Sequence, residues 1–402
     1  MIRRHALPRY LFGAATARTG DEMSGPALLL LGVAATGTAA TGSALLAGIT
    51  ATAAVGGPAV GVLLDRALRP GRVLAAALAV YTAGLASVAL LLERIPLAPV
   101  VVLALGTGLL GPALSGGWTA QLPRLLSPER MAGANAWDAM TFSTAGLLGP
   151  ALAGAVAVWA GATAAVVTAV VLIALAVPVA WALPARPARP DPSPVLGELA
   201  AGVRAVLGKR ALLRVTLVST VSVTGTGMLV VSAPLLGQRL LGGAEHGAIL
   251  LSVTAVASVL TNLFLARRPL PVRPDTVVLV CVLVQAVGVG CVLAAPSAPW
   301  LVLAAIAVGA AEGPQLTSLF AVRHREAPER LRTQVFTTAA SLKVSAFAAG
   351  AALAGPLADR SPDLCLGVAA ALQVGAALAH VAVRPEPRRV RRPRSCRLKD
   401  RD

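Results

Sequence analysis

Few residues of this 402-residue chain could do chemistry, and those few lie inside apolar stretches, where charge is costly. The run Arg18-Thr19-Gly20-Asp21-Glu22-Met23-Ser24-Gly25-Pro26 sets a cation three and four positions before two carboxylates. On a helix that spacing lets Arg18 pair with either acid along one face. Gly20, Gly25 and Pro26 weaken the helix there, so backbone groups could open toward a ligand. Glu312, Gln315 and Lys343 recur at a similar depth, and Asp138 lies about two turns into its own stretch. Arg18 and Lys343 offer two positive charges against Asp21, Glu22 and Glu312. One carboxylate is therefore left over, even before Asp138 is counted. A carboxylate without counter-charge in a low-dielectric cavity can carry a proton near neutral pH. Asp21, beside Gly20, and Glu312, just before Gly313-Pro314, are the leading proton carriers. Glu22, four residues after Arg18, is expected to stay ion-paired, and Asp138 to meet Arg130 or water. The other reading of the set is a structural ion-pair cluster that fixes the first helix.

Enzyme chemistry finds no foothold. The chain has no His-Glu-x-x-His, no Gly-x-x-x-x-Gly-Lys-Ser/Thr and no serine, histidine and aspartate at one depth. His5, His246 and His324 fall in loops or tails, and His380 near the end of a stretch. Cys281, Cys291, Cys365 and Cys396 show neither metal nor disulfide spacing. No cofactor and no metal is expected. Without a nucleotide-binding motif, uphill work would have to draw on an ion gradient.

Twelve apolar stretches must position these charges: 9–35, 43–64, 73–92, 98–122, 136–159, 162–183, 212–237, 247–266, 276–295, 299–321, 333–357 and 364–383. Each has the length that crosses a hydrocarbon core, and within lipid such a segment must satisfy its own hydrogen bonds as a helix. Arg3, Arg4 and Arg9 precede the first stretch, and Arg3 with Arg4 imitates the start of a signal peptide. Pro8 and Arg9 interrupt that resemblance, so the segment reads as the first span. Nearly all of the 35 basic residues lie at the N-terminus, in alternate loops and in the tail. Basic loops stay in the cytoplasm, which puts both termini inside a plasma-membrane protein. The net charge of +17 thus belongs to loops that face anionic lipid headgroups, not to nucleic acid.

The chain also repeats. Residues 128–154 run from Pro128-Glu129-Arg130 to Gly149-Pro150-Ala151-Leu152-Ala153-Gly154. Residues 328–355 run from Pro328-Glu329-Arg330 to Ala351-Ala352-Leu353-Ala354-Gly355. Gly111-Pro112 matches Gly313-Pro314, and Leu64-Asp65-Arg66 matches Leu265-Ala266-Arg267. Four segments follow: an N-terminal six-helix half (1–183), a linker (184–211), a C-terminal six-helix half (212–383) and a basic cytoplasmic tail (384–402). In the linker, Val195, Leu196, Leu199, Val203, Val206 and Leu207 fall at helical spacing, which predicts a short helix on the inner membrane face.

An all-α polytopic chain of twelve transmembrane helices in two related halves resembles the major facilitator superfamily. The local hallmark is Gly61-Val62-Leu63-Leu64-Asp65-Arg66-Ala67-Leu68-Arg69-Pro70-Gly71-Arg72, similar to that family's Gly-x-x-x-Asp-Arg-x-Gly-Arg-Arg with its second glycine three residues late. The resemblance implies a gate in which Gly61, Asp65, Arg66 and Arg72 lock the cytoplasmic side while the cavity opens outward. Gly149, Pro150 and Gly154 resemble the Gly-Pro motif of the drug and metabolite efflux branch, which implies a bend packed against a helix of the other half. Residues 98–122 lack the arginine that often accompanies that motif.

The expected function is proton-coupled export of a hydrophobic small organic compound by alternating access. The alternative is proton-symport uptake of a small metabolite, with a non-transporting sensor as a third class. The expected partners are the lipid bilayer, a small-molecule substrate and protons.

Overall fold

The computed structural model describes residues 6–37, 39–185, 195–243, 246–268 and 271–383. The expectations for Arg3, Arg4, the start of the linker helix's flank at 186–194 and the tail from Arg384 fall outside the described residues. The described chain forms α1 (Ala6–Thr36), α2 (Ala39–Ala51), α3 (Ala53–Arg66), α4 (Pro70–Leu91), α5 (Leu97–Gly108), α6 (Met131–Ala160) and α7 (Ala162–Trp181). It continues through α8 (Val195–Gly208), α9 (Arg210–Leu240), α10 (Gly247–Arg267), α11 (Pro274–Leu293), α12 (Ala298–Glu326), α13 (Arg332–Arg360) and α14 (Pro362–Ala382). Among the described residues there is no strand. Proline stands in the first turn of α4, α11, α12 and α14, where its missing N–H costs no helical hydrogen bond.

Ten of these helices are long and apolar enough to cross a membrane. The pair α2–α3, bent by 43° where the sequence suggested one continuous stretch over 43–64, passes the same test only when its two helices are taken together. The chain is therefore an integral membrane protein. The α1 helix, 31 residues long, carries Arg9, Arg18, Asp21 and Glu22, too many charges to read as a span on composition. It also runs unbroken through Gly20, Gly25 and Pro26, contrary to the expected opening of the backbone. Pro26 instead leaves the Glu22 carbonyl without its usual amide donor. The stretch 98–122 departs from a plain helix, because α5 ends at Gly108 and a π-type turn follows over Ala113–Gly117.

The helices pack as two groups. One extended apolar core takes its residues from Tyr10 to Ala180. Three smaller cores take theirs from Val215 to Ala377. A fifth cluster joins the groups through Ala120, Ala139, Phe320 and Phe336. The α8 helix lies against α3, α9 and α13, with Val206 in a cluster with Leu212, Ala327 and Val335. Part of its apolar face therefore docks on the bundle, while Val203 and Leu207 remain exposed.

The seam between the groups is closed near the basic loops. A Cβ on Gly61 would lie 2.4 Å from the Gln334 backbone, and one on Gly57 2.3 Å from the Thr337 carbonyl oxygen, so α3 and α13 meet at backbone distance. The Asp65 carboxylate accepts the Thr333 and Gln334 amides at 3.2 and 2.8 Å. These are donors that the start of α13 cannot satisfy within itself, and the helix dipole favours an anion there. Further out, Ser341 bridges the Gly57 amide and the Ala53 carbonyl. The second contact joins α6 to α10, where the Ser143 and Ser258 hydroxyls lie 2.8 Å apart.

Replacing Asp65 with Ala removes both acceptors and is expected to weaken closure by about 1–2 kcal/mol, roughly tenfold in the closed-to-open ratio. Spin labels on the exposed Leu68 and Arg268 would report this as a longer distance population. An unchanged distribution would contradict the capping role.

Candidate functional site

Arg18 does not pair with Asp21 or Glu22. Its guanidinium, with Arg18 only 2% exposed, reaches Asp138 on α6, with Nη1 2.8 Å from Oδ1. Nη1 also donates to the Asp138 carbonyl at 3.1 Å and to the Thr141 hydroxyl, and Nη2 to the Thr119 hydroxyl at 2.9 Å. Asp138 is fully buried and is completed by the Tyr10 and Thr119 hydroxyls, each donating at 2.8 Å. The expected partners of Asp138, Arg130 or water, are thus replaced by Arg18. Both charges are desolvated, and the mutual ion pair with hydrogen bonds to both guanidinium Nη atoms and both carboxylate oxygens makes that tolerable. This pair ties α1, α6 and the chain after the π turn together.

With Arg18 spent on Asp138, the acids on α1 find other surroundings. Asp21 accepts a hydrogen bond from the Tyr81 hydroxyl of α4 at 2.8 Å, and Ser24 stands 3.1 Å from the same hydroxyl. Glu22 is exposed although it lies midway along α1. Lys343 of α13 is the cation that acts on it, and the same Lys343 acts on Glu312 of α12. Glu22 therefore faces a gap between the two helix groups. Glu312 and Lys343 are half-buried at that gap. The hydrogen bonds of Asp65, Ser341 and Ser143 across the seam lie nearer the basic loops, within about 18 Å along the helices.

Gly149 contributes in an unexpected way. A Cβ there would lie 2.6 Å from the Glu22 Cβ, so at this position α6 packs against α1 of its own group. Gly154 has open space around it, and α6 continues as a helix through Pro150. Gly149 thus makes room for Glu22. Arg72, expected to meet headgroups or acids, stacks 4.8 Å over the Trp181 ring of α7.

Gln315 separates from the charged set. It joins a buried neutral network in which Gln285 donates to Gln315 at 2.8 Å and Ser222 donates to Gln373 at 2.8 Å. These amides hold α9, α11, α12 and α14 together. Sequence reading missed Tyr10, Tyr81 and Phe142. Phe142 has the Arg18 guanidinium carbon 3.7 Å and the Lys343 ammonium 5.6 Å from its ring centre. Their aromatic character in a chain with 3% aromatics was the one available signal. No group of three or more histidine, cysteine, aspartate or glutamate residues among the described residues could hold a metal. A separate cavity of about 300 Å³, lined by Ser232, Arg239 and Asp363 between α9 and α14, holds an exposed ion pair away from these charges.

Asp138→Asn strands the buried Arg18 charge and is expected to cost about 3–5 kcal/mol of stability. Adding Arg18→Gln should restore most of it, whereas Asp21→Asn alone should cost about 1 kcal/mol or less. Thermal unfolding of the purified protein in detergent checks the order, and equal losses for Asp138→Asn and Asp21→Asn would refute it.

The comparisons with known proteins bear on this geometry. No curated protein sequence matches the chain. Its structure resembles the human organic anion transporter MFSD10 (TETRAN), with a TM-score of 0.76 and 16% identity over 94% of this chain and 99% of that one. It also resembles a bacterial homologue of the iron transporter ferroportin in an outward-facing state, with a TM-score of 0.75 and 14% identity over 94% and 99%. A third likeness is to the proton:xylose symporter XylE bound to 6-bromo-6-deoxy-D-glucose, with a TM-score of 0.71 and 13% identity over 94% and 95%. At these identities the likeness is one of fold. Residues 10–351, most of the chain, match the Major Facilitator Superfamily. The chain belongs to that superfamily of transporters and is not an enzyme.

Proposed function

We propose that the protein is a secondary active transporter that exports a hydrophobic small organic compound in exchange for protons. The carrying observation is the pairing of a closed seam with an accessible charge set. Asp65 caps α13 near the basic loops, while Glu22, exposed, shares Lys343 with Glu312 across the gap. A site reached from one end and sealed from the other is what alternating access requires. In this reading α1 and the bent pair α2–α3 complete a set of twelve spans in two six-helix halves. Both termini and the basic loops face the cytoplasm of the plasma membrane. The described state is then the outward-facing one.

The Arg18–Asp138 pair is internally neutral, so three carboxylates, Asp21, Glu22 and Glu312, remain against one lysine. That surplus supports protons as the coupling ion. Lys343 acts on Glu22 and Glu312 alike, which leaves Asp21, whose carboxylate accepts from the neutral Tyr81 hydroxyl, as the first proton carrier. Few charges among many apolar residues support a hydrophobic cargo. Proton-symport uptake of a small metabolite is the second reading, and the likeness to a proton:xylose symporter favours it.

Proteoliposomes with an imposed pH gradient and a panel of lipophilic fluorescent compounds test both readings. An acidic lumen should drive accumulation by exchange, and an acidic exterior by symport. Asp21→Asn or Glu312→Gln is expected to lower gradient-driven accumulation at least about tenfold while sparing exchange without a gradient. Full accumulation by both variants would show that protons travel elsewhere.

A further inference from the structure

Below the gap that exposes Glu22, the two helix groups meet through a row of aromatic rings. Phe142 of α6 lies 5.5 Å from Phe320 of α12, which lies 5.9 Å from Phe336 of α13. His324 of α12 follows at 4.4 Å from Phe336. Ala120 and Ala139 fill the space around Phe320 and Phe336, so the row is a packed apolar plug between the charged gap and the basic-loop end. Only Phe142 enters this row from the N-terminal group.

Phe142 is also the ring on which two cations converge. Arg18, fixed by Asp138, Thr119 and Thr141, stacks at 3.7 Å on a ring only four residues beyond Asp138. That contact cannot move without breaking the buried ion pair. Lys343 is different. It lies 5.6 Å from the same ring and forms no salt bridge among the described residues. It is drawn at the same time toward Glu22 on the N-terminal group and Glu312 on its own. A cation over a desolvated ring is held by the quadrupole of that ring, and a carboxylate competes for the same charge.

We propose that Phe142 is the positioning residue that couples the charge state of the gap to the plug, through the contact of Lys343 with its ring. With Lys343 on the ring, α13 is held to α6 and the row Phe142–Phe320–Phe336 stays closed. When a carboxylate or a cargo group takes the ammonium, that tie is released and α13 is free to leave α6. The inference rests on the alternating-access reading, and it assigns to an aromatic side chain a role that the acids alone do not fill.

The test separates the ring's electrostatics from its volume. A cysteine replacing Leu316, at the edge of the plug, is labelled with a membrane-impermeant maleimide added outside sealed vesicles that are oriented with the basic-loop side outward. Labelling of the native thiols in the chain without the reporter is subtracted. Phe142→Leu, which keeps apolar bulk but removes the quadrupole, is expected to speed labelling about tenfold, and Phe142→Tyr to leave it within about twofold. Lys343→Met should speed labelling in the parent yet add nothing to Phe142→Leu, since both remove one contact. Equal rates for the Leu and Tyr variants, or full additivity of Phe142→Leu and Lys343→Met, would overturn the proposal. The assay reads the resting protein and needs no substrate. Absence of transport in proteoliposomes alongside the expected labelling pattern would therefore count against the transport reading and not against the coupling.

Discussion

A buried arginine cannot stay charged in an apolar bundle without a counter-charge, and much of the N-terminal group follows from where Arg18 finds one. Its guanidinium enters a ring of acceptors on α6 and on the segment after the π turn, with Asp138 at the centre. Tyr10 and Thr119 fill the remaining lone pairs of that carboxylate. The result is a desolvated but electrically neutral unit that fixes α1 against α6. Because it is satisfied, it has no charge to lend. Asp21 and Glu22, next to it in sequence, are left to hydroxyls, to the gap and to a lysine on a different helix group.

The seam shows the opposite solution. Its closure uses backbone proximity, which side chains would prevent. Gly57 and Gly61 on α3 and Gly116 in the π turn each face backbone atoms of α13. Where lipid and protein interior are about equally apolar, burial gives little net drive for helices to associate, so close packing and hydrogen bonds must supply it. Asp65 adds a charged contact, directed at the two orphan amides of α13.

Much of the fold was legible in the sequence. Of the twelve expected spans, ten appear as helices long and apolar enough to cross a membrane, while the two amides that Asp65 accepts from α13 come from the structure alone. The pairing of Arg18 was not legible. Spacing of three and four favours Asp21 and Glu22, but it describes an isolated helix, and it cannot see an acceptor 120 residues away on α6. Gly149 shows a related limit. Small residues mark a close approach without saying which helix approaches, and here it is α1 at Glu22. Gln315 shares a depth with the acids, yet depth alone does not give direction, and its side chain turns toward Gln285.

The internal repeat makes the difference between the groups informative. Asp65 corresponds to Ala266, so a carboxylate caps α13 but none stands at the matching position facing α6. By the same offset Asp21 corresponds to Ser222, and the Tyr81 hydroxyl bound to Asp21 gives way to the amides of Gln285 and Gln373 bound to Ser222. One group therefore places a titratable acid where the other places a neutral network. A neutral amide network keeps its hydrogen bonds at any pH, whereas an acid held by hydroxyls changes its interactions with its protonation state. The N-terminal side of the gap therefore carries an ionisable group, while the amides of the C-terminal side hold their helices in place. Lys343 and Glu312 are the exceptions in that second group. Both sit at the gap itself, where a charge on one side can act on the other.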